Sequence, residues 1–153
     1  MLKTLEKSCI FALKMLEKSC KNMLKRKILN ELQEWSKLEH KKALIVEGAR
    51  QVGKTTTIRE FGKKKYKHFV EINFIKKPIA KQAFDGNLDT DTIVMNLTAM
   101  DFGPFVKGKT LVFFDEIQEC PNARTAIKFL VEDGYSSHPE FIANISLLPI
   151  AYS

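Results

Sequence analysis

The chain has 153 residues, enough for one domain with a substantial core. With 44% hydrophobic and 28% charged residues, and only 7 Gly and 5 Pro, its composition is globular and excludes a disordered or collagen-like chain. The formal net charge of +7 is concentrated at one end. Residues 1–27 hold eight Lys/Arg against two Glu, whereas residues 43–153 hold fourteen basic against thirteen acidic residues, so no domain-wide basic footprint marks a specific nucleic-acid partner.

The first segment repeats itself. Leu2-Lys3-Thr4-Leu5-Glu6-Lys7-Ser8-Cys9 recurs as Leu13-Lys14-Met15-Leu16-Glu17-Lys18-Ser19-Cys20 with a period of eleven, close to three helical turns. Leu2, Leu5, Cys9, Leu13, Leu16, Cys20 and Leu24 then share one face, and Lys3, Lys7, Lys14, Lys18, Lys21 and Lys25 the opposite one. Such a basic amphipathic helix is either a packing helix with solvated lysines or a binding element for an anionic membrane surface or a protein partner. Residues 1–27 therefore read as an extension, and residues 28–153 as the domain. The longest purely apolar run covers only residues 9–13, which excludes a transmembrane span, and no secretory cleavage pattern follows the first lysines. Three cysteines show no CxxC or Cys/His cluster, and on a helix Cys9 and Cys20 stand ~16 Å apart, beyond disulfide reach. A reducing cytoplasm is the expected compartment, peripheral to the membrane if the basic helix binds there.

A second helix is expected over about 28–39, with Leu29, Leu32, Trp35 and Leu38 facing inward. Residues 43–47 read as a short strand, 55–64 as a helix ended by Gly62 and a lysine run, and 68–74 as the next strand. Pro78 suits the first turn of a helix reaching Phe84, and Asp89 or Asp91 caps a helix bearing Ile93, Val94 and Leu97. Residues 101–109 are loop, 110–114 a buried strand, and 122–132 a helix with Ala126, Ile127, Phe129 and Leu130 as its apolar positions. Residues 141–145 form the last strand. This alternation predicts an α/β fold: a mainly parallel sheet with helices on its faces. Eleven Phe against one Trp predict a Phe-rich core.

Two motifs carry chemistry. Gly48-Ala49-Arg50-Gln51-Val52-Gly53-Lys54-Thr55 satisfies G-x-x-x-x-G-K-[ST] between a strand and a helix. Its glycines let the backbone wrap a phosphate, and successive N–H groups of the loop and helix start, through Thr56, face the anion. Lys54 is expected on the β- and γ-phosphates of ATP and the Thr55 hydroxyl on Mg2+. Leu111-Val112-Phe113-Phe114-Asp115-Glu116 is a buried strand ending in two acids. Asp115 is expected to hold Mg2+, and Glu116 to polarise the attacking water, which favours hydrolysis over transfer to a small-molecule acceptor. Asp101-Phe102-Gly103 has none of the partners of a kinase DFG, the three histidines show no metal spacing, and Cys120 reads as a packing residue.

With these motifs the chain resembles the prokaryotic AAA-type P-loop ATPases that carry a C-terminal domain of unknown function. The resemblance covers about 25–153 and adds Glu71-Ile72-Asn73-Phe74 and Asp115-Glu116-Ile117-Gln118-Glu119-Cys120-Pro121 to the P-loop. It implies a three-layer sandwich with strand order 5-1-4-3-2 and a polar residue after the next strand that senses the γ-phosphate. Asn144 and Ser146 are the candidates, in a stretch where Ile145 and Pro149 stand in place of the family's glycines. With the chain ending at Ser153, the fifth strand, an arginine finger and the C-terminal domain are expected to be missing. The first strand then becomes a sheet edge, from which weak ATP binding, slow turnover and self-association follow. The leading expectation is an ATPase domain forming ADP and phosphate. The alternative is a non-hydrolysing nucleotide-binding module, or a truncated remnant, joined to a membrane- or partner-binding helix.

Overall fold

Thirty-five residues without Gly or Pro, Leu2–Ser36, form one uninterrupted helix, α1, in the computed structural model, which describes residues 2–39, 43–49, 53–132 and 139–147. The helix expected over 28–39 is thus the end of a longer one, because nothing around Lys27 breaks the turn-to-turn hydrogen bonding. Ile28, Leu32 and Trp35, spaced by one turn each, are buried, whereas the side chains of residues 18–27 are all exposed. Leu38 lies past the helix end and is exposed, contrary to its expected inward position.

The strands are β1 (Leu44–Ala49), β2 (His68–Asn73), β3 (Thr110–Asp115) and β4 (Glu140–Leu147). They pair in the order β1-β4-β3-β2, every pair parallel, which is the 1-4-3-2 part of the expected order. Every residue of β3 is buried, as a central strand covered on both faces must be. Its alternate residues feed two cores. Leu111 and Phe113 join Ile28, Leu32, Trp35, Ile58, Phe61 and Ile142 beneath α1 and α2 (Lys54–Lys65). Val112 and Phe114 join Val70, Ile72, Phe141 and Ala143 on the other face, beneath α3 (Thr90–Ala99) and α4 (Pro121–Glu132). The second core is Phe-rich: Phe114 stands 5.7–5.8 Å, ring centre to ring centre, from Phe74, Phe84 and Phe141.

The segment Pro78–Phe84 is a helix, as expected, of the 3₁₀ type with Pro at its first turn. Two local expectations are corrected. Phe129 is 45% exposed: the buried side chains described on α4 are Ala123, Ala126 and Ile127, a residue two past Ile127 points some 200° away, and the side chain of Leu130 lies outside the described residues. Gly62 does not end α2, which runs three residues further. Its role is close packing: a Cβ there would stand 2.3 Å from the Phe69 ring and 3.0 Å from Leu111. Gly62→Ala should therefore lower the melting temperature by several degrees. Overpacking costs about 1–3 kcal/mol, more than the roughly 1 kcal/mol gained in helix propensity. A rise in melting temperature would show that propensity decides instead. Asp89, not Asp91, caps α3, its carboxylate accepting the Thr92 N–H at 2.9 Å.

Candidate functional site

A parallel sheet delivers the carboxyl ends of all its strands to one edge, and the polar residues predicted from the motifs collect there. Gly53 precedes α2 with φ at 87°, a left-handed conformation that favours glycine. Lys54 opens the helix, only 4% exposed, and its ammonium donates to the carbonyl oxygens of Gly48 and, at 3.2 Å, Ile145. It thus bridges the ends of β1 and β4. The stem packs directly over Gly48, where a Cβ would lie in van der Waals contact with Lys54 Cδ and Nζ at 3.4 Å. Burial pushes the Lys54 pKa down, opposed by the carboxylates of Glu116, Asp115 and Glu47.

Asp115, at the end of β3, is 3% exposed and surrounded by donors. Thr55 Oγ1 lies 3.3 Å from each of its oxygens. Asn73 Nδ2 donates to Oδ2 at 3.1 Å, and Asn144 Nδ2 and the Glu116 N–H donate to Oδ1 at 2.7 and 3.0 Å. The parallel register explains one of these contacts, since Asn73 is the β2 partner of Asp115. Asn73 is itself oriented by the N–H groups of Ile75 and Lys76, both 3.0 Å from its Oδ1. An ionised carboxylate only accepts, so Asn144 must turn its Nδ2 toward Asp115. Its Oδ1 is left buried with no hydrogen-bond partner among the described residues.

Glu116 leaves β3 in a left-handed conformation, φ 56° and ψ 43°, into the 3₁₀ turn Ile117–Glu119. Ser146 Oγ donates to its Oε1 at 3.0 Å, and Gln118 Nε2 donates to Oε2. A cleft of about 250 Å³ opens between the start of α2 and the ends of β3 and β4, lined by Gly53, Lys54, Thr55, Thr56, Ile75, Glu116, Asn144 and Ser146. Arg50, Gln51 and Val52 of the predicted loop lie outside the described residues, as does the side chain of Ala49.

Behind the cleft, Arg59 of α2 grips Glu71 of β2 through two hydrogen bonds of 2.7 Å. This bidentate contact holds the Glu71 carboxyl below its ordinary range and raises Arg59, tying the helix that carries Lys54 and Thr55 to the strand that carries Asn73. Cys120 is buried, which pushes its thiol up and makes it a packing residue.

The arrangement has hard oxygen donors, a hydroxyl and a carboxylate, side by side, which fits a magnesium ion that draws its other ligands from water and phosphate. Among the described residues no group of three or more His, Cys, Asp or Glu forms a cage for a metal. Among the same residues no helix is long and apolar enough to cross a membrane.

Two residues of the network, Asn73 and Gln118, are not predicted as site residues. Both lie in stretches that carry the family resemblance, residues 71–74 and 115–121, and the rule that ligands sit at the carboxyl ends of parallel strands points further to Asn73. No curated protein matches the chain. A family model described as AAA domain matches residues 40–150, a stretch that contains β1 to β4 and every residue lining the cleft. The chain belongs to this AAA family of P-loop ATPases.

Proposed function

We propose that the chain binds Mg·ATP in this cleft and hydrolyses it to ADP and phosphate, with Glu116 as general base. The observation that carries the reading is the convergence of Lys54, Thr55 and Glu116 on one opening, with Asp115 held directly behind Thr55. Lys54 exchanges its two carbonyl partners for oxygens of the β- and γ-phosphates, beside the N–H groups that begin α2. Thr55 and Asp115 hold Mg2+, which when bound offsets the charge of the phosphates. Glu116 takes a proton from the attacking water as that oxygen bonds to the γ-phosphorus and the bond from phosphorus to the ADP oxygen breaks. Asn144 and Ser146 line the cleft at the end of β4 and sense the γ-phosphate there, Ser146 by redirecting its hydroxyl from Glu116 to a phosphate oxygen.

Phosphate release from ATP, followed with Mg2+ present and with Mg2+ chelated, tests this. Slow, Mg2+-dependent release is expected. Background release in both conditions, with ATP still bound, would leave the chain a non-hydrolysing nucleotide-binding module.

A second reading concerns α1. Lys18, Lys21, Lys25, Arg26 and Lys27 are exposed with no acidic residue between them in the chain. Lys25 pairs with Glu60 of α2 at 3.0 Å, which places the basic stretch beside the domain. This exposed basic stretch suits an anionic partner, either a membrane surface or an acidic protein surface. The full chain should co-sediment with phosphatidylserine vesicles at low salt and be released at high salt. No co-sedimentation at low salt would return α1 to plain packing.

A further inference from the structure

A carboxylate that serves as base must be held in position, and a left-handed backbone at Glu116 alone does not orient its side chain. Two donors do so. Ser146 Oγ reaches Oε1 at 3.0 Å, and Gln118 Nε2 reaches Oε2. Gln118 in turn accepts the backbone N–H of Ser146 at its own Oε1, 3.3 Å away. The three residues close a ring that joins the turn after β3 to the end of β4. Within it the Gln118 amide has one tolerable orientation. Flipped, its oxygen would face the carboxylate and its NH2 the Ser146 N–H, two repulsions in place of two hydrogen bonds.

Building on the hydrolytic reading above, we propose that Gln118 is a positioning residue: it sets the Glu116 carboxylate for the attacking water and couples it to Ser146 at the end of β4. Its amide alone among the three both donates and accepts within the ring, so a shift of the Ser146 backbone reaches Glu116 through Gln118 as well as through the Ser146 hydroxyl. Both of these hydrogen bonds are donated to the carboxylate, so they orient its oxygens. Gln118 does not line the cleft, so its loss should spare nucleotide affinity while lowering turnover.

The test uses Gln118→Met, which keeps the length but neither donates nor accepts, and Gln118→Glu, which keeps the shape but sets a second carboxylate against the first. Turnover at saturating Mg·ATP should fall about tenfold in the first and further in the second, with the dissociation constant for Mg·ATP and the melting temperature close to the parent's. A readout independent of turnover is the Gln118 side-chain NH2 pair in proton–nitrogen spectra. It should be displaced from free-glutamine positions in the parent and return to them in Glu116→Ala. Parent-like turnover in both variants, or free-glutamine resonances in the parent, would overturn the proposal. A parent that binds Mg·ATP but releases no phosphate would overturn the hydrolytic reading instead, and the amide resonances would still decide whether Gln118 holds Glu116.

Discussion

Lys54→Ala is expected to raise the dissociation constant for Mg·ATP by about 30- to 1,000-fold, a loss of roughly 2–4 kcal/mol read by calorimetry. The size follows from where the ammonium sits. It is 4% exposed, held by two carbonyl oxygens, and faces three carboxylates, so the cleft is built around a cation that has already left bulk water. Phosphate oxygens replace the carbonyls as stronger, charged acceptors, each such hydrogen bond being worth about 1.5–3 kcal/mol. Alanine removes them and leaves the Glu116 and Asp115 carboxylates to repel the nucleotide without a counter-charge. The Gly48 and Ile145 carbonyls lose a buried donor in the variant, so its melting temperature is measured beside its affinity to separate lost binding from lost folding. Equal affinity in variant and parent would remove Lys54 from the phosphate site.

Glu116→Gln should have the complementary effect: turnover reduced by about 10²–10⁴-fold, with affinity kept. Glutamine preserves size and still reaches Ser146 and Gln118, but its amide does not take a proton from water at neutral pH. Removing a negative charge beside the phosphates, if anything, strengthens ground-state binding. The parent itself is expected to be slow. Arg124 is exposed on α4, away from the residues that line the cleft, and no arginine among those lining residues supplies the charge that an arginine finger provides, commonly ~10³–10⁵ in rate. Phosphate release equal in parent and variant would show that Glu116 is not the base.

The parallel sheet was legible because β1 and β3 are short apolar runs separated by helical patterns, and a P-loop between strand and helix leaves few topologies. The meeting of Lys54, Thr55, Asp115 and Glu116 was legible for the same reason: a P-loop spacing and an acidic strand end both fall at the carboxyl edge of a parallel sheet. What stayed hidden depends on neighbours across the sheet. Asn73 touches Asp115 through strand register, a property of two segments forty-two residues apart. Gly62 reads as a helix terminator until the Phe69 ring beneath it is known. The uninterrupted α1 was obscured by a composition change near Lys27, although exposure does change there, from solvated residues 18–27 to buried Ile28. Phe129 shows the limit of reading apolar residues as core: α4 presents more apolar positions than the sheet beneath it covers.

The central claim, that nucleotide binds where the strand ends meet α2, is tested most directly by mapping amide shifts as Mg·ATP is added to the isotopically labelled chain. Saturable shifts are expected, concentrated at residues 53–56, at Glu116 and at residues 144–146, with α1 unmoved. Shifts confined to the exposed lysines of residues 18–27, or none at residues 53–56, would contradict it and leave only an electrostatic attraction between ATP and a basic helix.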